Sequence, residues 1–145
     1  MTGGSRGIGY MIASCYVKAG ARVYITSRDQ KRCAAVEREL SAIGFCRAIS
    51  GDLSKLSEIE RIISELQVLE SKLDVLVNNV GYDELKYFTQ TDPDFWRKII
   101  EINFMGVLNC TYSALSIMAS QNHGSIVSIS SDASRQGEPK EAVYG

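Results

Sequence analysis

The sequence predicts a doubly wound α/β fold, a sheet of parallel strands wrapped by helices on both faces. Three observations lead there. Short β-branched or apolar runs alternate with stretches of helical periodicity along all 145 residues. Residues 73–77 (Leu-Asp-Val-Leu-Val) form an apolar run of the kind a strand buried on both faces shows. The stretch Thr2-Gly3-Gly4-Ser5-Arg6-Gly7-Ile8-Gly9 is a glycine-rich turn directly ahead of an amphipathic segment.

Behind that turn a helix is expected over 7–19, with Ile8, Met11, Ile12, Cys15 and Ala19 at helical spacing and Gly20 ending it. Residues 22–26 read as a strand. Residues 30–42 read as a charged helix that turns Ala34, Leu40 and Ile43 to the core and stops at Gly44. A second strand follows at 45–49. The next helix carries the stripe Leu56, Ile59, Ile62, Ile63, Leu66 and Leu69; Ser54 or Ser57 can cap it, and Ser57 with Glu60 has capping-box spacing. After the strand at 73–77, Pro93 opens a helix that runs to about 119. A buried strand at 125–130 and the first turn of a helix at 141–145 complete the alternation. No repeat, linker or low-complexity segment divides the chain, so it reads as a single domain.

Hydrophobic residues make up 45% of the chain and the formal net charge is −1, the balance of an ordinary soluble globular protein. No basic excess points to nucleic acid, and no run of like charge points to an interaction tail. Cys15, Cys33, Cys46 and Cys110 are widely spread with no Cys-x-x-Cys, and His123 is the one histidine. No metal site is therefore expected, and reduced thiols in a cytoplasmic compartment fit best. Lys18 and Arg22 break the longest early apolar run, which leaves neither a signal peptide nor a membrane span.

Gly3, Gly7 and Gly9 let backbone N–H groups approach a ligand, and the following helix would point its positive end at an anion such as a dinucleotide pyrophosphate. A P-loop is excluded, because Tyr10 and Met11 stand where Lys and Ser/Thr are required. A purely structural turn stays open. Other chemistry-bearing residues fall at the carboxyl ends of strands, where such sheets bind ligands: Ser27-Arg28-Asp29, Asp52-Leu53, Asn78-Asn79-Val80-Gly81 and Ser131. On a plainer reading, Arg28 is an exposed charge at the start of the next helix and Asp52 is a helix N-cap. Asn103 stands in the apolar segment 99–105, a poor place for an amide without a task, and Tyr144 lies thirteen residues beyond Ser131.

The glycine turn, Asn-Asn-Val-Gly, and Asn103, Ser131 and Tyr144 at these spacings resemble the short-chain dehydrogenase/reductase family. The pattern is nearest to 3-oxoacyl-acyl-carrier-protein reductases and hydroxyacyl-CoA dehydrogenases. The resemblance implies a Rossmann-like sheet that binds a nicotinamide dinucleotide through Gly3, Ser5, Arg6, Gly7, Ile8, Gly9, Arg28, Asp52, Leu53, Asn79 and Gly81. By alignment on the glycine turn, Ser27 stands where a carboxylate would hold the ribose and repel a 2′-phosphate. Arg28 and Arg6 flank that position, which favours NADP over NAD; Asp29 is the residue that could reverse the preference. Val80 replaces the alanine of the family's Asn-Asn-Ala-Gly, and Ser134 replaces the glycine of its Ser-Ser-x-x-Gly.

The resemblance also implies roles. Hydride transfer to a carbonyl leaves alkoxide charge that needs a proton donor and a second hydrogen bond. Tyr144 would be the acid in reduction and the base in oxidation, Ser131 would hold the substrate oxygen, and Asn103 would position a relay water. A phenol titrates near pH ~10, so work near neutrality needs roughly 3–4 kcal/mol of stabilised phenolate. In the family that falls to a lysine four residues after the tyrosine, and no such lysine occurs in this sequence. The expectation is a partial dinucleotide-binding domain over 1–145 that lacks the opening strand, the lysine and the later strands. It would be a fragment, inactive alone, of an NAD(P)(H)-dependent oxidoreductase. The full-length parent would be a homotetramer interconverting a small carbonyl and a secondary alcohol, an acyl thioester by the look of 132–144. The alternative is a non-catalytic nucleotide-binding or scaffold module.

Overall fold

The computed structural model describes all of residues 1–145. In chain order it contains α1 (Gly7–Lys18), β1 (Val23–Ile25), α2 (Gln30–Ser41), β2 (Cys46–Ala48), α3 (Leu56–Leu69), β3 (Val75–Asn78), α4 (Pro93–Ile100), α5 (Gly106–Ser120), β4 (Ser125–Ser128) and α6 (Ala133–Gln136). β1 pairs with β2 and β3 with β4, both in parallel, with Val23 opposite Cys46 and Val75 opposite Ser125. α1 and α2 cover a core of Ala13, Val17, Val23, Ile25, Val36, Leu40 and Cys46. α3 and α5 cover a second core built on Ile59, Ile62, Leu76, Cys110, Ala114 and Met118.

The two strand pairs form separate two-stranded sheets, and the backbone of Met1–Gly3 spans them. Thr26 N donates to Met1 O (3.0 Å), Gly3 N to Thr26 O (2.8 Å) and Thr2 N to Val77 O (2.9 Å). The expectation that the opening strand is wholly absent is therefore amended: Thr2 makes a parallel bridge with Thr26 and sets the register of one pair against the other.

Several local expectations are corrected by packing. α1 buries Gly9, Ala13, Ser14 and Val17, whereas Ile8 and Met11 are each 61% exposed; the small residues are what lets the helix seat closely on β1. In α2 the buried positions are Cys33, Val36 and Leu40 rather than Ala34 and Ile43. The capping box of α3 does not form, because Lys55 is the N-cap and Ser54 gives its hydroxyl to Asp52. β4 is an exposed edge, not a buried strand, since only β3 pairs with it. Residues 141–145 close a single turn, with the N–H groups of Tyr144 and Gly145 donating to Glu141 O.

The helix expected from Pro93 continues to Ser120, but through a π-type segment, Glu101–Met105, between α4 and α5. This 28-residue stretch, with a mean hydropathy of 1.2 in its most apolar window, has the length and composition of a membrane span. One side of it packs into the core, placing Cys110, Ala114 and Met118 against α3 and β3.

Candidate active site

The glycine turn is built by backbone geometry. Gly3 and Gly7 sit at φ +65° and +53°, which only glycine adopts readily. A Cβ on Gly9 would lie 2.2 Å from Gly3 O, so glycine there lets α1 close onto the turn. Thr2 and Asn79 then staple the turn to the end of β3. Thr2 Oγ1 accepts from Asn79 N (2.8 Å) and Val80 N (3.1 Å), and Asn79 Nδ2 donates to Thr2 O (3.2 Å) and Gly3 O (3.3 Å). α1 begins with no side-chain cap and no acidic residue in its first turn, so its N-terminal N–H groups and dipole face an open site.

That site is a cleft of about 330 Å³ lined by Gly3, Ser5, Arg6, Gly7, Ile8, Ser27, Arg28, Gly51, Asp52, Leu53, Ser54, Asn79, Val80, Gly81 and Ile102. Every expected cofactor residue is in this lining except Gly9, which acts one layer back. Sequence reasoning did not put Gly51, Ser54 or Ile102 in the site. Gly51 and Ser54 lie beside Asp52 and so carried a signal, while Ile102 comes to the cleft from the π-type segment, far along the chain.

The electrostatics are set by Asp52 and the two arginines. Burial raises the pKa of Asp52, but hydrogen bonds from Ser54 N (3.1 Å) and Ser54 Oγ (2.8 Å) and the charge of Arg28 outweigh it and hold the carboxyl below its ordinary value. Asp29, the residue that could have reversed the cofactor preference, is the N-cap of α2, where its side chain accepts from Arg32 N (3.0 Å). It lies outside the cleft lining, and Arg6 and Arg28 are the cations within it. These donors fit a phosphorylated dinucleotide: glycine N–H groups and a helix terminus for the diphosphate, arginines for a further phosphate.

Asn103, Ser131 and Tyr144 lie outside the cleft lining. Asn103 sits in the π-type segment; its Oδ1 accepts from Tyr82 N (2.8 Å) and its Nδ2 donates to Tyr82 O (2.7 Å). It thereby fixes the loop after β3, and a Cβ on Gly81 would come within 3.4 Å of its Oδ1. One lone pair and one N–H of the amide remain for another partner. Ser131 follows β4, and its Oγ accepts from Ala133 N (3.2 Å), leaving the hydroxyl proton to donate. Ser134 Oγ donates to Ser131 O (2.9 Å), a bond that the glycine of the family pattern could not supply. Tyr144 is half-buried in the turn at 141–145, which packs on the start of α6, since a Cβ on Gly145 would lie 3.0 Å from Ala133 O. Lys86 N donates to Lys140 O (3.1 Å) and ties the segment after β3 to the one carrying Tyr144. The loop after β3 that Asn103 holds is thus bonded to the segment before Tyr144, and the turn carrying Tyr144 packs on Ala133, two residues beyond Ser131.

The fold and cleft are those of the α/β dinucleotide-binding class. The chain belongs to the short chain dehydrogenase family, which matches residues 1–145. It is 38% identical over 151 residues to a rhamnolipids biosynthesis 3-oxoacyl-[acyl-carrier-protein] reductase of Pseudomonas aeruginosa, covering 100% of this chain and 59% of that protein. It is 32% identical over 145 residues to an L-fucose dehydrogenase of Bos taurus, covering 99% of this chain and 52% of that one. Among solved structures, a metagenomic short-chain oxidoreductase in complex with NADP superposes with a TM-score of 0.93 at 32% identity, covering 99% of this chain and 66% of that chain. The chain thus spans roughly half to two-thirds of the length of these proteins.

Proposed function

We propose that the parent of this chain is an NADP(H)-dependent oxidoreductase interconverting a carbonyl and a secondary alcohol. The observation that carries the reading is the glycine-turn cleft, with Arg6 and Arg28 in its lining and Asp29 turned away to cap α2. In this reading the turn and the start of α1 hold the diphosphate, Arg28 and Arg6 hold the 2′-phosphate, and Asn79 and Gly81 border the path towards the reacting end. The bound nicotinamide supplies the hydride. Ser131 donates its free hydroxyl proton to the carbonyl oxygen, Tyr144 exchanges the proton with that oxygen, and Asn103 holds the loop beside them.

Replacing Arg28 by Ala should weaken NADPH binding about tenfold or more while changing NADH binding less than about twofold, since one charge-assisted phosphate contact is worth about 1.4 kcal/mol or more. Fluorescence titration with the two reduced cofactors reads this; equal losses for both would remove the 2′-phosphate assignment. A full-length parent that binds NADPH without turnover would establish the scaffold alternative.

An acyl thioester is the proposed substrate class, supported by the likeness of residues 132–144 to such reductases and by the 38% identity with the bacterial reductase. Comparing a 3-oxoacyl thioester with a reducing sugar as substrates of the parent separates this from the activity named for the bovine relative. A homo-oligomer, a tetramer for the parent, is proposed from the stripe Ile100, Phe104, Leu108, Tyr112 and Leu115. It recurs along α4, the π-type segment and α5 and is 46–80% exposed.

A further inference from the structure

We propose that Gly106 is a positioning residue that couples two walls of the nucleotide cleft, the turn at 51–54 after β2 and the loop at 79–82 after β3. The coupling rests on the geometry of the π-type segment, and only the ligand that would exploit it rests on the NADP reading above.

Glycine at this position needs a cause. Gly106 is buried where the π-type segment passes into α5, at φ −58° and ψ −42°. That is ordinary helical backbone, in which glycine costs about 1 kcal/mol relative to alanine. Conformation does not call for it, but contact does. A Cβ there would lie 2.8 Å from Leu53 O and 3.4 Å from Glu101 O. The Gly106 N–H donates to Glu101 O and so closes the π turn. One residue thus ends the turn and seats it on the Leu53 carbonyl.

Leu53 is a firm seat. Its side chain is buried in one core with Ile49, Ile59 and Cys110, the last of these on α5. Asp52, the residue before it, is held by Ser54 N and Ser54 Oγ, and Asp52 and Leu53 both line the cleft. The same π turn also reaches the second wall. Asn103, three residues before Gly106, bonds both polar groups of the Tyr82 backbone, and Gly81 beside Tyr82 lines the cleft. A displacement of the 51–54 turn is therefore carried through Gly106 to Asn103 and on to the Tyr82 amide. By linkage the coupling acts equally in both directions.

Amide exchange at Tyr82 N–H, whose acceptor is Asn103 Oδ1, reads the far wall. In the ligand-free chain, Gly106→Ala should speed exchange at Tyr82 about fivefold or more. Leu40, in the core under α1 and α2, should keep its rate. An unchanged rate at Tyr82, or an equal rise at Leu40, overturns the proposal; the equal rise would mean general loss of stability. A second arm adds 2′,5′-ADP, which carries the adenosine and its 2′-phosphate but no nicotinamide. At saturation it should slow exchange at Tyr82 about fivefold or more, and Asn103→Ala should remove that slowing while calorimetry still shows binding. Binding that leaves Tyr82 unaffected overturns the coupling. Val80 also borders the Leu53 core, so slowing that persists in Asn103→Ala gives the route to Val80 and overturns the role of Gly106. Failure of 2′,5′-ADP to bind counts against the NADP reading instead, and the ligand-free comparison then decides the coupling alone.

Discussion

Gly9→Val should abolish NADPH binding and destabilise the chain by roughly 3 kcal/mol or more. The added Cβ would sit 2.2 Å from Gly3 O and 2.5 Å from Asn79 Nδ2, inside the contact distance of any real pair. Neither neighbour can retreat cheaply. Gly3 is fixed by its own bond to Thr26 O (2.8 Å), and Asn79 holds both Thr2 and Gly3. The helix must then lift off the turn, withdrawing the N-terminal N–H groups that would meet a diphosphate. Gly9→Ala should show the same sign, because about 1 kcal/mol of gained helix propensity does not offset a clash with backbone. Gly20→Ala is the control. It is also strained, at φ +84°, but nothing lies within 4 Å of its Cβ, so it should cost about 1 kcal/mol and leave cofactor affinity unchanged. Chemical denaturation and NADPH fluorescence titration of the three variants decide the matter; if Gly9→Val binds NADPH as the parent chain does, the turn is not the diphosphate site.

The parts of the fold and site that could be read in advance are those whose cause is local in the chain. The glycine turn, the Pro93 start with its Asp92 cap bonding Phe95 N, and the Gly20 stop each depend on a few adjacent residues. What could not be read depends on who covers whom. The periodicity of Ile8, Met11 and Cys15 is genuine, yet the core takes Gly9, Ala13 and Val17, because close approach to β1 rewards small side chains over large ones. The apolar run at 125–130 looks the same whether or not a neighbour lies on its outer side, so its exposure was hidden. Ser57 and Glu60 had capping-box spacing, but Asp52 drew Ser54 into its own turn and the helix began at Leu56 instead. Asp29 is the instructive case for function. Its identity alone left two cofactors open, and only its bond to Arg32 N removes it from the cleft.

The π-type segment has no signature in the residues 101–105, and it yields the second large expectation. Asn103→Ala should lower stability by roughly 2–4 kcal/mol. The side chain accepts from the backbone N–H of half-buried Tyr82 at 2.8 Å and donates to its carbonyl at 2.7 Å, and truncation removes both bonds. Tyr82 is also held by Lys98, whose Nζ lies 3.8 Å from the ring centroid, so the loop cannot swing free to water without losing that contact. The π turn places this amide against the loop; without the amide, Glu101–Met105 should relax towards a regular helix and withdraw Ile102 from the cleft lining. Asn103→Asp separates the two bonds: the carboxylate still accepts from Tyr82 N but repels Tyr82 O, so its loss should be the smaller at neutral pH and smaller still in acid, where the protonated group can donate again. Denaturant midpoints for both variants, with cofactor titration alongside, read the two effects. If Asn103→Ala is as stable as the parent chain, the amide does not hold the loop and the π turn needs another cause.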